Sequence, residues 1–157
     1  GCGARWHYIG RIQANKTRDL AAHFDWVQTV DREKVAQRLN DQRPDSLPPL
    51  NVCLQVNVDT EPQKAGAKPG ELSALASAIA RLPRLRLRGL MAIPAEQAEF
   101  DAQRRSFARL RELFEQLQDQ GHDVDTLSMG MSGDLRAAIA EGSTMVRVGT
   151  AIFGSRE

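Results

Sequence analysis

Disulfide chemistry, membrane spans and a net electrostatic field are all missing from this sequence. Only two cysteines occur among 157 residues, Cys2 and Cys53, which do not make a disulfide framework. Cys53 sits inside a strand-like run, where a reduced, buried thiol is the ordinary state. The longest apolar stretches, such as Leu90 to Pro94 and Ala151 to Phe153, fall far short of the ~20 residues that span a bilayer. Lys+Arg 21 against Asp+Glu 20 leaves a formal charge of +1, so no global field recruits nucleic acid or an anionic membrane. No His, Cys or Asp spacing suggests a metal site. No repeat, low-complexity tract or linker divides the chain. There is neither a start Met nor a signal peptide, so the first residue need not be the biological one. What these absences leave is the expectation of a soluble, cytoplasmic protein with one core.

Two kinds of segment alternate from end to end. Short β-branched or aromatic runs predict strands over Trp6 to Gln13, Trp26 to Asp31, Asn51 to Asp59, Leu85 to Pro94, Thr126 to Ser132 and Thr144 to Phe153. Helix-like stretches lie between them. The clearest spans about Gln97 to Gln120, where Phe100, Phe107, Leu110, Phe114 and Leu117 make one apolar stripe at spacings of 7, 3, 4 and 3. Leu72, Leu75, Ala76 and Ile79 form a second stripe, closed by Pro83. A third helix is expected after Ser132 as N-cap, with Asp134 in its first turn and its end at Gly142. Alternating strand and helix without hairpin signals means parallel strands with right-handed crossovers. Gln42 to Pro49, with Pro44, Pro48 and Pro49, reads as a surface connector. Asp59 to Gly70 is a polar loop on the side where such folds place ligands.

Counting then sets the architecture. Six units fill residues 6 to 154, whereas a closed eight-stranded barrel needs about 250 residues, with about 200 near the lower end. Six parallel strands suit an open doubly wound sheet or a barrel missing two units from its front. The first strand begins almost at residue 1, which favours the second. The expectation is a single, partial domain over residues 1–157.

The segment from Met145 to Gly154 is the most informative chemically. By the two-residue period Met145, Arg147 and Gly149 share one face, and Val146 and Val148 take the other. An arginine there is expected to be buried, and a buried guanidinium needs a partner. That partner is either a ligand or a strand-end acid such as Asp31 or Asp59. Gly149 and Thr150 offer two backbone N–H groups and a hydroxyl where the strand ends, which is anion-binding chemistry. The preceding strand ends in Ser128-Met129-Gly130-Met131-Ser132, again small and hydroxylic. Loops after the last two strands of β/α barrels frequently hold phosphate. Taken alone, Ser132 reads as a cap and Gly149 as a packing residue; together with Arg147 they favour phosphate.

Other features carry less. His7 lies mid-strand beside Ile9, where a hydrogen-bonded core role and a cofactor-facing role stand equal. His23 and His122 read as surface residues. Arg81, Arg84, Arg86 and Arg88 alternate with leucines but lack interleaved aromatics, and read as a solvated face rather than a nucleic-acid patch.

Trp6-His7-Tyr8-Ile9-Gly10 with Gln13-Ala14-Asn15-Lys16 resembles a signature of the YggS/PROSC family of pyridoxal phosphate homeostasis proteins. Gly89 to Pro94, Leu127 to Ser132 with Asp134, and Gly142 to Gly154 resemble its three other signatures, in order. The resemblance covers Trp6 to Arg156. It implies a (β/α)8 TIM-type barrel related to the N-terminal domain of alanine racemase, of which this chain supplies strands three to eight. It implies pyridoxal 5'-phosphate as cofactor. The phosphate would be held by the Ser128-Met129-Gly130-Met131-Ser132 end, with Ser128, Met131 and Ser132 as named contacts, and by Gly149 and Thr150. Arg147 would face the pyridine nitrogen. It also implies a monomeric full-length protein without established catalysis, acting in vitamin B6 and amino-acid homeostasis, with pyridoxal-phosphate-dependent apoenzymes as recipients. One departure stands out. The family attaches the cofactor aldehyde to a strand-end lysine, and none of Lys16, Lys34, Lys64 and Lys68 reads as ending a buried strand. A pyridoxal-phosphate-dependent racemase and a barrel binding another phosphorylated metabolite remain the alternatives; the sole tyrosine, Tyr8, and the lack of a second domain weigh against the racemase.

Overall fold

The computed structural model describes residues 2–156. Its strands are β1 (His7–Tyr8), β2 (Trp26–Val30), β3 (Leu50–Gln55), β4 (Leu85–Met91) and β5 (Thr126–Ser128), which pair in sequence order and all in parallel. Helices α1 (Thr17–His23), α2 (Glu33–Gln42), α3 (Leu72–Ala80) and α4 (Phe100–Asp119) make the crossovers, and α5 (Leu135–Ala140) and α6 (Thr150–Phe153) follow β5. Because no strand reverses the order, the twisted sheet curls one way into a half barrel, the parallel α/β architecture expected from the alternating pattern.

The two faces of the sheet bury different residues. Val27, Val52, Leu54, Leu90 and Leu127 belong to the large core shared with the helices, where they meet Val35, Leu39, Leu75, Ile79, Phe107 and Leu110. A side chain of that size contributes roughly 1.5–3 kcal/mol on full burial. A second, small cluster of Trp26, Cys53 and Met91, with Met145 against it, is separate from that core. The strand period puts it on the opposite, concave face.

The structure corrects four expectations. The segment Thr144 to Phe153 is not one strand. Met145 bridges to Ser128, Arg147 N–H donates to Gly130 O at 2.9 Å, and the chain then turns at Gly149 into α6. It is therefore a sixth, partial strand followed by a single helical turn. The first strand shortens to two residues because Tyr8 Oη donates to Arg11 O at 3.0 Å and folds the chain back at Gly10. Ser132 does not cap α5: Asp134 holds the cap position and accepts from Met131 N–H at 2.7 Å. Phe100 lies on the α4 stripe but in its first turn, where it stays 45% exposed under the Arg104 guanidinium.

Close approach requires glycine at both Gly89 and Gly130. A Cβ on Gly89 would lie 1.7 Å from Thr126 O, so the β4–β5 ladder closes only over a hydrogen. At Gly130, with φ +103°, a Cβ would lie 2.6 Å from the Ala138 Cβ, which lets the turn after β5 pack on α5.

Candidate functional site at the carboxyl ends of the strands

Parallel strands bring their carboxyl ends to one rim, and Arg147 crosses that rim. Its Nη1 donates to Ser128 Oγ at 2.7 Å, at the end of β5, and its Nη2 to Ala92 O at 3.0 Å, just past β4. Burial lowers its pKa, with Asp134 opposing. Neither Asp31 nor Asp59 is its partner. Asp31 pairs with Arg32 and accepts from Gly66 N–H, while Asp59 accepts from Ala95 N–H and Ser106 Oγ–H. The ion-pair alternative therefore fails. Arg147 Nε is buried with no hydrogen-bond partner among the described residues, an uncommon state for a buried donor.

Behind Arg147 a polar chain runs through the barrel interior. Ser128 Oγ–H donates to Gln28 Oε1 at 2.5 Å, and Gln28 Nε2 lies 2.8 Å from His7 Nδ1 and 3.2 Å from Met145 Sδ. His7 stacks on Trp26 with centroids 4.9 Å apart, and the Arg88 guanidinium lies 4.5 Å from the Trp26 ring centroid. Arg88 in turn pairs with Asp125 at 2.8 Å and donates to Asn51 Oδ1. The Arg88–Asp125 hydrogen bonds hold the Asp125 carboxyl below its usual range against a smaller opposing effect of burial. Burial pushes the Cys53 thiol up to about 12, although Arg88 and Arg147 pull the other way. The thiol is therefore protonated at neutral pH and acts as packing rather than as a nucleophile.

Past Arg147, where the chain turns into α6, lie free backbone donors. Ala151 N–H donates to Ser132 Oγ at 3.3 Å, which joins the turn after β5 to the start of α6. The backbone N–H groups of Ser132, Gly149 and Thr150 make no hydrogen bond with other described residues. Of the residues expected at the site, the structure brings Ser132, Gly149 and Thr150 into this patch, with Arg147 and Ser128 behind it. Ser128 is fully buried, and its hydroxyl is engaged by Arg147 and Gln28. Met131 is tied to α5 through its backbone, with its side chain 41% exposed. Lys64 pairs with Glu61 at 3.6 Å and stays in its loop. Gln28, at 1% exposure, escapes sequence reasoning. The one clue is a carboxamide in the short, fully buried strand Trp26-Val27-Gln28-Thr29-Val30.

A parallel half barrel that gathers unpartnered N–H groups and a half-buried cation at its carboxyl rim has the architecture of the β/α barrels. The model of the alanine racemase N-terminal domain matches residues 1–157. The pyridoxal phosphate homeostasis protein of Pseudomonas aeruginosa is 63% identical over 152 residues, covering 97% of this chain and 65% of that protein. The protein of the same name from Escherichia coli is 55% identical over 155 residues, covering 99% and 66%. The structure of PipY from Synechococcus elongatus with pyridoxal phosphate bound superposes with a TM-score of 0.87 at 37% identity, covering 96% of this chain and 70% of that one. The chain belongs to the alanine racemase N-terminal domain family and, within it, to the pyridoxal phosphate homeostasis (YggS/PROSC) proteins. It spans about 65% of the length of the first two of these relatives.

Proposed function

We propose that this chain binds pyridoxal 5'-phosphate non-catalytically at the rim built by Ser132, Arg147, Gly149 and Thr150, as part of a protein that holds and delivers the cofactor. The observation that carries the reading is the set of free N–H groups at Gly149 and Thr150, just past a half-buried Arg147 whose buried Nε lacks a partner. A phosphorylated heteroaromatic ring has acceptors for both. The bound cofactor would supply an aldehyde that condenses with amines and a ring that withdraws electrons. The N–H groups of Gly149 and Thr150, the Thr150 hydroxyl and Ser132 would hold the phosphate, and Met131 would flank it. Arg147 would donate to the unprotonated ring nitrogen. Being a permanent cation, it keeps a proton off that nitrogen and so favours storage over electron withdrawal. Ser128 would act from behind, by holding Arg147. No lysine ends a strand: Lys16 and Lys34 lie in helical turns, and Lys64 and Lys68 lie in a loop. These residues therefore account for non-covalent binding. Residues 1–157 would form one partial barrel domain, the complete protein would be monomeric and cytoplasmic, and apoenzymes that need the cofactor would be its recipients.

Direct binding tests this reading against a barrel for some other phosphorylated metabolite. By titration calorimetry, pyridoxal phosphate is expected to bind roughly tenfold or more tightly than glycerol phosphate, the ring contributing one hydrogen bond to a charged group. Equal affinities would assign the rim to phosphate alone and overturn the cofactor reading.

A further inference from the structure

Hydrogen-bond direction inside the half barrel is fixed from one end. A guanidinium has donors only, so Ser128 Oγ accepts from Arg147 and turns its own proton to Gln28 Oε1. That orients the Gln28 amide, whose Nε2 then donates to Met145 Sδ and to His7 Nδ1. His7 Nδ1 must therefore be bare, and its proton sits on Nε2. The ring is held flat against Trp26 at an interplanar angle of 13°, so it meets Gln28 in one orientation.

We propose that His7 is a positioning residue for Arg147. Its bare Nδ1 anchors the chain Arg147 to Ser128 to Gln28 to His7, and protonation of His7 turns the Gln28 amide and loosens the guanidinium at the ligand rim. A protonated Nδ1 would face the Gln28 amide donor with another donor. Relief requires the amide to rotate, which takes Oε1 away from Ser128 and Nε2 away from Met145. The Ser128 hydroxyl then loses its acceptor, one bond from Arg147.

The charges around His7 fit this role. Burial lowers its pKa; Asp25, just before β2, opposes this, and Arg5 acts in the same direction as burial. Over the Trp26 ring stands Arg88 of β4, with Asp125, just before β5, paired to it. Neutral His7 is thus the resting state at pH 7. A histidine whose folded pKa lies below its unfolded value contributes stability that is complete above about 6.5. That contribution is lost as pH falls from there through the folded pKa. The rim should loosen over that same window.

The relay is read in the ligand-free chain by nitrogen-15 NMR of the His7 ring and of the Arg147 Nε–H group against pH. The expected result is the Nε2–H tautomer at neutral pH and an Arg147 signal that shifts with the His7 midpoint. His7→Phe should keep the stack and leave the Arg147 signal flat across that window. Gln28→Glu should raise the His7 midpoint, since a carboxylate accepts from both Ser128 and protonated His7, and the Arg147 transition should move with it. A fold loss in one variant leaves the other to decide. An Nδ1–H tautomer, or an Arg147 signal indifferent to His7, would overturn the proposal. The consequence for ligand rests on the cofactor reading above. On the acid side of the midpoint, wild-type affinity for pyridoxal phosphate should fall roughly tenfold relative to His7→Phe. An Arg147 signal that follows His7 in a chain that binds no pyridoxal phosphate would support the relay and overturn the cofactor reading instead.

Discussion

Arg147 concentrates the chemistry of the rim in one side chain, because it is half-buried, cationic and bonded to neutral acceptors only. Desolvating a guanidinium costs several kcal/mol, and Ser128 Oγ with Ala92 O offset that for Nη1 and Nη2 but leave Nε unpartnered. Arg147→Glu is expected to let the bound cofactor's ring nitrogen carry a proton, which a facing carboxylate would hold. Absorbance of the bound cofactor should then change with pH in a way the parent does not show, with circular dichroism confirming the fold. Identical titrations in a folded variant would mean that Arg147 does not touch the ring. The burial alternation of Met145, Arg147 and Gly149 against Val146 and Val148 follows from the two-residue period and is legible in the sequence. The partners of Arg147 are not. They come from β4 and β5, and nothing local distinguishes a hydroxyl on another strand from an acid such as Asp59. Gln28 is hidden for the same reason, since a strand amide has no spacing of its own and gains meaning only from His7 and Ser128 beside it.

At the scale of elements, the strands that build the rim depend on close backbone approach. The β3–β4 register shifts between Val52 and Cys53, opposite Gly89, and the same glycine faces Thr126 across the β4–β5 ladder. Gly89→Ala would force a Cβ into the Thr126 carbonyl. It should lower stability by at least ~1–3 kcal/mol and displace β5, with Ser128 at its end. The unfolding midpoint in urea checks the first effect and the loss of pyridoxal phosphate affinity the second. A variant as stable as the parent would show that the ladder relaxes without cost. Helix positions are the most legible elements, since the stripes of α3 and α4 place Leu72, Leu75, Ile79, Phe107, Leu110 and Leu117 in the core. The last segment is the least legible. Thr144 to Phe153 has strand-like composition throughout, yet it pairs only with the end of β5, and beyond Gly149 the local turn takes over.

Across residues 2–156 the chain folds as a half barrel with a polar network inside, and its lysines shape what it does with an aldehyde. Reduction with borohydride after mixing with pyridoxal phosphate should trap only weak adducts at exposed Lys64 and Lys68, mapped by peptide mass. One stoichiometric adduct at a single lysine would contradict the non-covalent account. The barrel-type order was legible because alternating strands and helices permit few other arrangements, and the ordered signatures from Trp6 to Gly154 pointed to the family. The interior network was not, since it joins residues as far apart as His7 and Arg147. Most direct is the affinity of this chain for pyridoxal phosphate beside that of Thr150→Val, measured by calorimetry at fixed pH and salt. The hydroxyl's hydrogen bond to a charged phosphate is worth ~1.5–3 kcal/mol. The account therefore predicts a loss of roughly tenfold or more with the fold intact; an unchanged affinity would remove Thr150 from the site and contradict the placement of phosphate at this rim.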